Sequence, residues 1–143
     1  MNKNILLLRI SFLVSLGATL GSLYFGEILK YPPCTLCWYQ RICMYPLVII
    51  FGAALWTEDE KFLKNSMPLA IIGLIIASYH NLLYYNIIPD SITPCTQGVS
   101  CTSKQIELLG FITIPLMSLV SFILITTLSF LQLSNTRNSN ETK

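Results

Sequence analysis

Four long apolar segments, at about residues 5–25, 38–56, 67–88 and 108–133, set the terms on which this chain can fold. Each supplies about the 20 residues needed to cross a hydrocarbon core of about 30 Å. Lipid offers no hydrogen bonds to a backbone, so segments that cross it must be helices. Charged residues make up only 11% of the chain, against roughly 25% in soluble domains, too few to clothe a water-soluble surface. The expected fold is an all-α integral membrane protein, an antiparallel four-helix transmembrane bundle. It occupies residues 1–133 as one domain. The polar stretch 134–143, "SNTRNSNETK", is expected to be a disordered cytoplasmic tail. A net charge of +2, with no basic patch interleaved with aromatics, excludes nucleic acid as a partner.

The first segment is long, contains Arg9 and is followed by no Ala-x-Ala site, so it reads as an uncleaved span rather than a signal peptide. Gly17 and Gly21 form a Gly-x-x-x-Gly within it. That pattern suits close helix packing, although small residues are common in membrane helices in any case.

Four crossings put both termini on one side of the membrane. They put the connections 26–37 and 89–107 together on the other. Lys3, Arg9, Lys61, Lys64, Arg137 and Lys143 fall on the side of the termini; Lys30, Arg41 and Lys104 fall opposite. This excess places the termini in the cytoplasm and the two connections outside.

All four cysteines of the connections then share the extracytoplasmic side, where disulfides persist. Cys34 and Cys37 lie in "PCTLCWYQR", and Cys95 and Cys101 in "CTQGVSC". Four cysteines allow three pairings, and local spacing favours Cys34 with Cys37 and Cys95 with Cys101. Three chemistries fit: a redox pair of dithiols, two structural staples, or a four-thiolate zinc site. Zinc would be better suited by two Cys-x-x-Cys knuckles than by one beside a Cys-x₅-Cys.

The surroundings of the first pair favour redox chemistry. Pro33 suits the first turn of a helix beginning near Cys34. Cys34 and Cys37, three apart, then share one face at a helix N-terminus, which lowers thiol pKa. Arg41, four beyond Cys37, adds a fixed positive charge on the same face, so the expected thiolate is Cys37. A helix of about 20 residues from Trp38 spans roughly 30 Å, which sets Cys37 at the outer boundary of the bilayer. Trp38, Tyr39 and Tyr31 are ring types found there. A staple has no need of that depth; a dithiol passing electrons to a lipid-soluble quinone does. Arg41 would stabilise a developing quinol anion. By itself, Arg41 would be read as snorkelling from a span end.

The second pair sits in a long connection with two prolines and a glycine, a length that points to function. Its aqueous setting suits a soluble protein partner. One pair facing water and one facing lipid form a two-stage relay by thiol–disulfide exchange. His80, the only histidine, is placed about two turns from the outer end of the third span. An ionisable group at that depth is a functional candidate for quinone binding or proton delivery, with an interhelical hydrogen bond as the alternative. Asn81 suits packing, and Cys43 within the second span reads as a small hydrophobe.

The motif "PCTLCWYQRICMYP", the later cysteine pair and "LLGFITIPLMSL" opening the last span together resemble the disulfide bond formation protein B (DsbB-like) family, in its shorter Gram-positive form. The resemblance covers nearly the whole chain. It implies a quinone-dependent oxidase of an extracytoplasmic DsbA-like thioredoxin-fold thiol oxidase, located in the bacterial plasma membrane and passing electrons to its quinone pool. Menaquinone is implied for a Gram-positive source. By the same resemblance, Cys34 and Cys37 are the membrane-edge pair, with Cys37 attacking quinone beside Arg41 and near His80. Cys95 and Cys101 are the partner-facing pair, with Cys95 forming the mixed disulfide. The six-residue separation of that pair is narrower than in the best-known proteobacterial members. No metal is expected at these residues. Two rivals remain at this point: the same relay run in reverse as a reductase, and a non-enzymatic tetraspan accessory protein with loop staples or a zinc site.

Overall fold

A computed structural model describes residues 3–57, 61–88, 107–108 and 112–141. Helix α1 (Lys3–Leu23) runs on through a π-helical turn, Tyr24–Ile28, before the chain reverses. Helix α2 (Thr35–Thr57), helix α3 (Lys61–Tyr84) and helix α4 (Ile114–Glu141) follow. Each helix packs on its neighbour in sequence, and α4 closes the ring against α1. Stretches of all four are long and apolar enough to cross a membrane: Asn4–Ile28, Thr35–Thr57, Lys64–Tyr84 and Ile114–Asn135. The four-helix membrane fold read from the sequence is therefore the one observed.

The inward faces follow a repeat of about 3.5 residues. On α3, Ser66, Ala70, Gly73, Ala77, His80 and Tyr84 are buried. Most of these are small, which lets neighbouring backbones approach closely. The Phe122 ring of α4 fills the space a Cβ on Gly73 would need. On α2 the buried stripe is Leu36, Gln40, Cys43, Met44, Leu47, Phe51 and Ala54. Leu47, Phe51, Ala70, Ala77, Phe122 and Ile125 form the main core, and Cys43 packs within it. Large apolar residues such as Leu13, Ile49, Ile75 and Phe130 point outward, as expected where the surrounding solvent is hydrocarbon. Polar atoms supply further interhelical ties. Asn81 Nδ2 donates to the Pro115 carbonyl at 2.8 Å, and Gln132 Nε2 lies 3.4 Å from Ser11 Oγ.

Several boundaries differ from the apolar pattern. Helix α3 stops at Tyr84 although apolar residues continue to Ile88. Asn86 adopts φ 55°, and the Asn86 and Ile87 amides donate to the Leu83 and Leu82 carbonyls. That is a Schellman closure, which an Asn in the left-handed region permits. Helix α4 starts at Ile114, not near 108, because Leu108 pairs antiparallel with Ile112, and Glu107 with Thr113, in a short ribbon of β1 (Glu107–Leu108) and β2 (Ile112–Thr113). Thr113 then caps α4, its Oγ1 accepting from the Leu116 amide at 3.4 Å. Helix α4 runs on through the polar residues after 133 to Glu141. Once a helix exists, each further residue adds one hydrogen bond without a new nucleation cost.

Candidate functional site

Cys34 is the N-cap of α2. Its carbonyl accepts the first helical hydrogen bond, from Trp38 N at 3.1 Å. Pro33 therefore lies just before the cap rather than in the first turn. The cap side chain is a sulfur: the Cys37 amide donates to Cys34 Sγ at 3.4 Å. The two thiols are free, with their sulfurs 3.0 Å apart. From α3, His80 Nε2 lies 3.7 Å from Cys34 Sγ. His80 is buried and stands only about one turn from the end of α3, because that helix closes at Tyr84. The Cys34 thiol is held well below its ordinary pKa, first by the hydrogen bond from Cys37 and then by His80, against an opposing push from burial. The helix N-terminus thus serves Cys34, whereas the spacing had pointed to Cys37.

Cys37 faces the other way. It lines an apolar cavity of about 160 Å³ between α1, α2 and α4, together with Gly17, Gly21, Phe25, Gln40, Arg41 and Met117. Gly17 and Met117 are exposed at its edge. Nothing lies within 4 Å of a Cβ added at Gly17 or Gly21. The Gly-x-x-x-Gly leaves the cavity open instead of packing helix on helix.

Arg41 is fixed in the cavity wall. Its Nε donates to Ser22 Oγ and its Nη2 to the Ser22 carbonyl, each at 2.9 Å. Its guanidinium carbon lies 5.5 Å from the Trp38 ring centroid, a cation–π arrangement. Gly26 makes room for it: a Cβ there would come within 2.6 Å of Nη2. His80, expected beside the quinone, is not in the cavity wall; it contacts Cys34. Cys95 and Cys101 lie outside the described residues.

Gln40 was not singled out by the sequence analysis. It is buried between these features, with Nε2 3.3 Å from His80 Nδ1. A carboxamide inside an apolar span, three residues after Cys37, was its available signal.

Cys34, Cys37 and His80 bring three potential metal donors within 4.8 Å of one another. Two thiolates on one tetrahedral zinc, each at about 2.3 Å, stand about 3.7 Å apart. The two sulfurs stand 3.0 Å apart here.

Residues 4–132 match the family described as disulfide bond formation protein DsbB. The chain belongs to the DsbB family. It is 49% identical over 125 residues to "Disulfide bond formation protein C" of Bacillus subtilis (strain 168), covering 87% of this chain and 91% of the relative. It is 43% identical over 118 residues to "Probable disulfide formation protein C 1" of Bacillus anthracis, covering 82% and 85%. A "Probable disulfide formation protein" of Metapseudomonas resinovorans is 40% identical over 120 residues, covering 83% of each chain. No solved structure gives a significant match. As a DsbB-family chain with a dithiol at a helix cap, it is a membrane thiol–disulfide oxidoreductase.

Proposed function

We propose that this DsbB-family protein uses quinone as electron acceptor to reoxidise a DsbA-like thioredoxin-fold partner outside the cytoplasmic membrane. The observation that carries the proposal is that Cys37 and Arg41 share the wall of one apolar cavity whose edge is exposed on the bundle surface. A quinone bound there supplies a two-electron, two-proton acceptor. The cavity fits such a group: its walls are apolar, and the Arg41 guanidinium is held in place before binding. In this reading the partner's dithiol reduces the Cys95–Cys101 disulfide, and the partner's own disulfide forms. That new dithiol then reduces Cys34–Cys37. Cys37 gives up the electron pair on the cavity side as the Cys34–Cys37 bond re-forms, and two protons, one of them from the Cys37 thiol, accompany the electrons. Cys34, Cys37, Cys95 and Cys101 are the reacting groups. Arg41 orients and neutralises at the cavity, and His80 acts on Cys34. Menaquinone fits a Gram-positive source, in keeping with the Bacillus relatives.

The test is quinone reduction by the purified protein with a reduced thioredoxin-fold donor, native against Cys37→Ser. Catalytic loss of quinone absorbance that disappears in Cys37→Ser supports the reading. No turnover with menaquinone or ubiquinone analogues and several donors would sink it.

A further inference from the structure

We infer that Gln40 is a positioning residue whose side-chain amide holds His80 with its Nε2–H aimed at Cys34 Sγ, making Cys34 the resting thiolate of the reduced pair. The inference rests on the redox reading of Cys34–Cys37 above and deepens it.

An amide nitrogen only donates hydrogen bonds, so Gln40 Nε2 at 3.3 Å makes His80 Nδ1 the acceptor. The neutral ring then carries its proton on Nε2, the nitrogen 3.7 Å from Cys34 Sγ. The opposite amide orientation would put the proton on Nδ1 and leave Nε2 to accept from a Cys34 thiol. The two arrangements predict opposite effects on Cys34 acidity. Burial makes the choice consequential: Gln40 is 7% exposed, His80 2% and Cys34 6%, so little water competes for these bonds. The Cys37 amide already donates to the same sulfur from the helix end. Three donors on one sulfur, the Cys37 amide and thiol from α2 and His80 from α3, suit an anion. The titratable groups against Cys34 are Cys37 of α2 and His80 of α3, with Tyr79 of α3 packed on the same cluster, while Arg41 and Tyr31 line the cavity beside Cys37. Among the described residues none of these is a carboxylate. Gln40 also touches the cavity, so lost turnover alone would not separate this role from contact with an acceptor.

The experiment needs neither quinone nor partner. The full-length reduced protein in detergent is pulsed with iodoacetamide from pH 3 to 9. Cys34 modification is read by mass spectrometry in the native protein, Gln40→Met, Gln40→Glu and His80→Ala. Met matches Gln in size without the donor; a Glu carboxylate accepts from Nδ1–H and favours the imidazolium, which carries Nε2–H to the sulfur as well. Losing one charge-assisted hydrogen bond should raise the midpoint of Cys34 alkylation by about one pH unit in Gln40→Met and in His80→Ala. Gln40→Glu should keep the native profile or move its midpoint lower. An unchanged or lowered midpoint in Gln40→Met overturns the inference, as does equal loss in Gln40→Met and Gln40→Glu, which would mark a packing role. If Gln40→Met does not fold, an unchanged midpoint in His80→Ala overturns it alone. A displaced midpoint in a native protein that fails to reduce quinone would retain the positioning role and reject only the proposed acceptor.

Discussion

Arg41 illustrates how much a single side chain owes to its neighbours. Among the described residues its hydrogen bonds go to Ser22, one to the hydroxyl and one to the carbonyl, and its guanidinium carbon lies near the Trp38 ring. A lysine keeps the charge but not the planar fork. Arg41→Lys is therefore expected to raise the quinone KM about tenfold, the scale of one charge-assisted hydrogen bond, with a smaller change in kcat. Steady-state kinetics with varied quinone checks this; an unchanged KM would remove Arg41 from the binding wall. Cys34 carries a pH dependence. Its folded pKa lies below the unfolded value, so between the two the unfolded chain binds more protons and stability of the reduced protein rises with pH. The contribution is fully present above about pH 8.5, the free thiol value, and is lost as pH falls through the lowered folded pKa. Thermal unfolding of the reduced protein from pH 5 to 9 should show this rise in the native chain and a flatter profile in Cys34→Ala. Parallel profiles would refute it.

At the scale of the helices, glycines do two different jobs that composition does not distinguish. Gly73 admits the Phe122 ring between α3 and α4. Gly73→Ala overpacks that seam and is expected to cost about 1–3 kcal/mol, read as a lower Tm in detergent. Gly21 faces open space in the cavity. Gly21→Leu should leave Tm near the native value while sharply reducing quinone turnover, because the new side chain occupies the cavity. A large Tm loss instead would show that Gly21 packs against a helix after all. The helix ends show a similar division. The Asn86 closure and the ribbon before α4 shortened two segments that hydropathy alone extended, since local hydrogen bonding ends a helix where apolar character does not.

For the whole molecule, the proposed orientation puts the Cys34 end outside and the end of α4 inside. In an otherwise cysteine-free variant, Ser100→Cys should react with a membrane-impermeant maleimide in intact cells, and Ser139→Cys should react only after permeabilisation. The reverse pattern would invert the topology and, with it, the compartment of the partner. The sequence by itself determined the membrane class, the number of crossings and the clustering of Cys34, Cys37, Arg41 and His80 toward one end. Those follow from segment length, from the parity of crossings and from the cysteine spacing. What it left open was rotation. In lipid the outward face of a helix is as apolar as the inward one, so hydropathy does not say which way a span turns. Only the packing of small residues on α3 and the buried stripe of α2 set that angle. The tertiary structure thereby turned His80 and Gln40 toward Cys34, and Cys37 and Arg41 toward the cavity. Two neighbouring thiols with the same spacing to a helix end acquired different surroundings because helix rotation is fixed by contacts between spans.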